Sequence, residues 1–218
     1  MDLQSMASNF MRGMGGCDDL EKVHGQSGGS APGRRWHENS INPAIVVLAI
    51  AAWQALVQDM AAVCVEAARP DGDSPLSLST YHLLAGNVKG EIDRFSTPNA
   101  QNSRRLLQLA GFDPRPCWTW RAGRSGEFVG PADVEAELDQ WLKIRHAVAH
   151  GDPKLPEVPS KKASATNGRS DSERTLRLTD ARRCMKFVRR LAKSTGDGLA
   201  VHLGVEKVAW DNSATLVA

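Results

Sequence analysis

From residue 41 to Pro70 the chain reads INPAIVVLAIAAWQALVQDMAAVCVEAARP, apolar on nearly every side and free of glycine and proline between Pro43 and Pro70. A helix that is hydrophobic all round belongs in a core. Asn42 before Pro43 has the form of an N-cap followed by a first-turn proline. The longest unbroken apolar run, AIVVLAIAAW at 44–53, is shorter than the roughly 20 residues of a membrane span, and Gln54, Gln58 and Asp59 follow it directly. The pattern predicts one long core helix and no membrane segment.

Five further helical patterns flank it. Residues 2–14 form a short amphipathic stretch that GMGG at 13–16 ends. Leu76, Tyr81, Leu84, Val88, Ile92 and Phe95 recur at helical spacing, against the cost of Gly86 and Gly90. Thr97 and Pro98 repeat the cap signature and open a helix through Leu109, closed by Gly111. Gly130 and Pro131 start another, with Val134, Leu138, Trp141, Leu142, Val148 and Ala149 as its apolar positions, and Thr179 caps a last helix through about Val201. Between these lie a Gly/Ser-rich linker at 25–35, a loop at 112–130 that carries Trp118 and Trp120, and a polar, proline-bearing stretch. The expected organisation is all-α: an N-terminal extension over 1–35, a helical domain over 36–203 with a polar insertion at about 152–173, and a tail over 204–218.

Composition narrows the class. A chain of 218 residues with 41% hydrophobic and 24% charged residues suits one globular core. With 27 Lys and Arg against 25 Asp and Glu, the net charge of +2 favours no polyanion by itself, so a basic surface must come from local clustering. Cys17, Cys64, Cys117 and Cys184 are scattered without a CxxC pair, which argues against a zinc ribbon or disulfide scaffold and for a reducing, cytoplasmic setting. The first residues have no basic stretch ahead of an apolar run, so a secretory signal is not expected.

One cluster of polar residues stands out. At the end of the 131–150 helix the chain reads KIRHAVAHGD. At about 100° per residue, His146 and His150 fall roughly 40° apart on one face, and Arg145 about 140° from His150. Cations near a helix C-terminus also serve the helix dipole, and Gly151 suits the residue after the last turn, so a purely structural role accounts for the spacing. A metal pair is a further reading, with Asp152 or His82 as the third ligand, although the sequence lacks the glutamate of HExxH.

Arg145, four residues, then His150 and Gly151, together with RFSTPN at 94–99, WTW at 118–120 and the opening NPAIVVLAIAAWQALVQDM, resemble the HEPN superfamily, with the RiboL-PSP-HEPN branch as the nearest likeness. The resemblance covers roughly residues 40–200. It implies a helical bundle of four or five helices, a symmetric homodimer with the motif helices facing each other, and a metal-independent endoribonuclease site at the seam that needs no cofactor. The chain departs from the family pattern at His146, where a small polar residue such as asparagine is common.

Such a site must deprotonate the 2′-OH, stabilise charge on the phosphorane and protonate the leaving 5′-oxygen. Imidazole titrates in the neutral range, and guanidinium is a fixed fork for phosphate. The resemblance thus makes His150 the general acid/base, Arg145 the transition-state stabiliser and His146 an orienting group or second proton carrier. Arg182, Arg183, Lys186, Arg189 and Arg190, in a stretch at 174–193 that opposes eight basic residues to Asp180 alone, are the candidate RNA contacts. The same stretch equally suits a solvated helix paired with acids such as Glu135, Glu137 and Asp139. Trp118 and Trp120 are expected to pack rather than to stack bases. Family membership further implies a toxin or defence effector restrained by an antitoxin or regulatory protein. The alternative is a non-catalytic module that binds RNA, a nucleotide or a protein.

Overall fold

The computed structural model describes residues 2–26, 40–72, 74–122, 126–159 and 175–210. Six α-helices carry the fold: α1 (Leu3–Gln26), α2 (Ile41–Ala67), α3 (Pro75–Arg94), α4 (Ala100–Leu109), α5 (Pro131–His150) and α6 (Leu178–Leu203). A 3-10 turn at Arg115–Cys117 leads into a short antiparallel hairpin, β1 (Trp120–Ala122) with β2 (Glu127–Val129), that pairs Trp120 with Val129. Among the described residues the fold is all-α apart from that hairpin.

The apolar run is the central helix, as its pattern requires. α1, α3, α4, α5 and α6 all pack against α2, and Ile45, Val46, Ile50, Trp53, Val57 and Met60 are fully buried. Among the described residues α2 is the one helix long and apolar enough to cross a membrane, but 56% of its most apolar window is buried inside the protein. Its hydrocarbon faces other helices.

The N-terminal segment corrects the sequence expectation. GMGG does not end a helix: α1 continues to Gln26 and buries Met6, Ala7, Phe10, Met14 and Cys17 in the core. Much of the 1–35 extension is therefore a core helix, and the structured chain starts well before Trp36, which itself lies outside the described residues. The reason is packing. An added Cβ on Gly13 would stand 3.4 Å from Ala52 Cβ, so the glycine lets α1 lie close on α2. Burial of the Met6–Phe10–Cys17 side outweighs a propensity cost of about 1 kcal/mol per glycine.

Helix starts move by one or two residues. Asn42 is inside α2 rather than at its cap, and its buried Nδ2 donates to Leu176 O at 3.1 Å, tying the entry of α2 to that of α6. Asn99, not Thr97, caps α4, its Oδ1 accepting from the Asn102 N–H at 2.6 Å. Thr179 lies within α6, where Asp180 Oδ2 accepts from the Arg177 N–H at 3.0 Å. α3 departs further from its predicted stripe: it buries only Val88, while Leu76 and Leu84 of that stripe are 78% and 45% exposed.

The loop at 112–130 clamps onto α6. Trp118 is fully buried and its Nε1 donates to Thr195 Oγ1 at 3.0 Å, which donates in turn to Leu191 O at 2.7 Å. Two glycines admit the neighbours of α6: an added Cβ on Gly198 would overlap Cys117 Sγ, and one on Gly196 the Trp210 ring. Burial pushes the thiols of Cys17 and Cys64 up to about 11 and raises that of Cys184 well above its usual value, so these three stay protonated and act as core residues.

Candidate active site and basic face

α5 is fixed at its N-terminal half by its own acids. Asp133 Oδ2 accepts from the Gly130 N–H at 2.9 Å and starts the helix. Glu135 accepts from Arg115 Nε at 2.8 Å, with Arg104 Nη1 3.6 Å away. Asp139 Oδ1 accepts from the Ala100 N–H at 2.9 Å, a carboxylate at the positive end of α4. Glu135 and Asp139 are thus engaged away from the basic helix, contrary to the pairing considered from sequence.

The other end of α5 carries the motif. Gly151 adopts φ 69°, a left-handed turn that glycine enters without strain, and the Asp152 N–H donates back to Ala147 O at 2.9 Å. The helix therefore stops one residue after His150 and leaves that side chain exposed in the last turn. His146, one turn earlier, is half-buried. Arg145 projects on the side of Leu138, Trp141 and Leu142, roughly 100° from His146. Its Nε is enclosed and has no hydrogen-bond partner among the described residues. The two histidines share the outward face that their spacing predicts, while Arg145 stands apart on the inward flank.

Burial lowers the His146 pKa below its usual 6.5, and the positive charges of Arg145 and His150 lower it further. His146 is accordingly held toward its neutral form at neutral pH. The unfolded chain takes up this proton first as pH falls through 6.5, so the folded state loses stability from there down to the depressed folded value. His146→Gln is expected to flatten that loss, read as the difference between the two proteins in urea unfolding across about pH 5 to 8.

No three His, Cys, Asp or Glu side chains gather into a metal-binding group among the described residues. His82, the distant ligand considered from sequence, lies on α3 with its ring 5.5 Å from that of Tyr81.

The basic helix divides into two sets. Arg189 Nη2 donates to both carboxylate oxygens of Asp18, at 2.6 and 2.7 Å, and Arg182 Nε donates to Glu21 Oε1 at 2.7 Å. Both acids come from α1, so the neutralising partners lie in the segment that sequence reading sets aside as an extension. Arg190 Nη2 donates to Arg121 O at 2.7 Å, and Arg183 Nη1 donates to Pro159 O. Lys186 is exposed with no partner among the described residues. Arg174 lies outside them. Trp120, expected from sequence to pack, is half-buried against the core, with the Arg190 guanidinium carbon 5.6 Å from its ring centroid and Phe187 edge-on at 6.2 Å.

No protein-family model, curated protein or solved structure matches the chain.

Proposed function

We propose that the protein is a metal-independent endoribonuclease of HEPN type that acts as a homodimer. The observation that supports it most is the C-terminal end of α5, where a glycine-capped last turn presents His150 to solvent, one turn beyond a histidine held toward its neutral form. Neutral imidazole accepts the 2′-OH proton. The 2′-oxygen then bonds to phosphorus, the P–O5′ bond breaks, and a protonated imidazole returns a proton to the departing 5′-oxygen. The products are a 2′,3′-cyclic phosphate and a 5′-hydroxyl. Arg145 supplies the fixed positive charge for the phosphorane. A two-fold axis beside α5 brings a second copy of each residue into the same cleft and so provides base and acid together. A toxin or defence role restrained by an antitoxin or regulatory protein, in the cytoplasm, fits the same reading.

One observation favours the non-catalytic module instead. Arg145 and His150 diverge by about 140° around α5, so within one chain they do not converge on a single phosphate. The test is incubation of the purified protein with mixed RNAs in the presence of chelator, with analysis of the ends. Cleavage leaving 2′,3′-cyclic phosphates supports the ribonuclease. Retention of RNA without cleavage turns the assignment to the binding module.

A further inference from the structure

We infer that the cleft between α6 and the β1–β2 hairpin binds one unpaired nucleotide, its base on Trp120 and Phe187 and its phosphate at Lys186, Arg183 and Arg190. The cleft holds about 380 Å³, within the range of about 300–1,000 Å³ usual for small-molecule sites. Its apolar wall is Trp120, Val129 and Phe187, and its rim carries Arg182, Arg183, Lys186 and Arg190 against Glu137 as the one acid in the lining among the described residues.

The hydrogen bonds decide what such a rim can hold. Arg182 is already neutralised by Glu21, whereas Arg183 and Arg190 are held by backbone carbonyls, Pro159 O and Arg121 O. A carbonyl fixes a guanidinium in place without cancelling its charge. Together with exposed Lys186, the rim therefore presents three cations with no acidic partner among the described residues, two of them oriented before any ligand arrives. An anion satisfies them. A bare phosphate would leave the aromatic wall unused, while a nucleotide places a flat π-face and a phosphate on one small molecule. The same chemistry can come from a free mononucleotide or from a base splayed out of single-stranded RNA. The cleft is formed by α6, the hairpin and the middle of α5, so the inference does not rest on the ribonuclease reading.

The test is calorimetric titration of the full chain with adenosine 5′-monophosphate, with inorganic phosphate, and with a 2′-O-methyl single-stranded RNA of about five nucleotides, which cannot be cut by 2′-oxygen attack. Saturable binding of the nucleotide or the RNA, weakened about tenfold by Trp120→Leu and by Lys186→Ala, supports the site. Lys186 is solvent-exposed, so that variant tests the cleft even if the tryptophan change unsettles the hairpin. Mononucleotide binding as tight as RNA binding identifies a free nucleotide as the ligand, and tighter RNA binding that falls with salt identifies an RNA subsite. Equal affinity for phosphate alone, or indifference to both substitutions, overturns the inference. Binding that is lost in His150→Ala also overturns it, because the nucleotide would then sit at the end of α5.

Discussion

His150→Ala is expected to reduce RNA cleavage by ~10²–10⁴-fold while leaving the helical fold intact, because the imidazole is exposed beyond the last packed turn of α5 and its removal opens no cavity. On the ribonuclease proposal Arg145→Ala is expected to cost a comparable ~10²–10³-fold, since it would delete the cation that stabilises transition-state charge. The two residues differ structurally. Arg145 is half-buried with an enclosed Nε, so its variant must be checked for melting temperature as well as for rate. If both act on one phosphate, the double variant should lose little more than the worse single one, because the groups fail as a unit. Single-turnover cleavage of a defined RNA measures this, and wild-type rates in His150→Ala would remove α5 from the chemistry.

The largest stability effect is expected at Trp118. Truncation to alanine removes a fully buried indole and leaves a cavity between the 112–130 loop and α6, a loss of about 3–5 kcal/mol. Against a total of about 5–15 kcal/mol for a domain, that is a large fraction. Thr195→Val preserves shape but strands the buried Trp118 N–H, at a cost of about 1–3 kcal/mol. Urea unfolding should rank Trp118→Ala as the more damaging change. A loss below about 1 kcal/mol for it would mean that the loop is not anchored through this residue.

The central helix was legible because it is apolar on every side, and any partner suffices to bury it. α5 was legible because Gly130–Pro131 and Gly151 mark both ends with local chemistry. α1 was misjudged for the converse reason: its glycines weaken the helix locally, and the close approach that Gly13 allows to Ala52 appears only across the interface. The apolar series Leu3, Met6, Phe10, Met14 and Cys17 runs straight through GMGG at helical spacing and was the overlooked signal. Of the site, the shared face of His146 and His150 followed from the 3.6-residue period. The inward side of Arg145 follows from the same period, since it falls three, four and seven residues after Leu142, Trp141 and Leu138, but the enclosure of its Nε does not. The division of the basic helix depended on Asp18 and Glu21, more than 150 positions away in the chain.

Those ion pairs have a consequence for how the protein is made. Asp18 and Arg189 are 171 residues apart, and Glu21 and Arg182 are 161 apart, yet α1 and α6 lie side by side on α2. On the ribosome α1 and α2 can pair as soon as both emerge, since a short separation costs little chain entropy. The flank of α2 that α6 will cover stays bare until the last helix is translated. Until α6 emerges the nascent chain therefore carries an open hydrocarbon groove along α2, and its arrival closes the core in one late step.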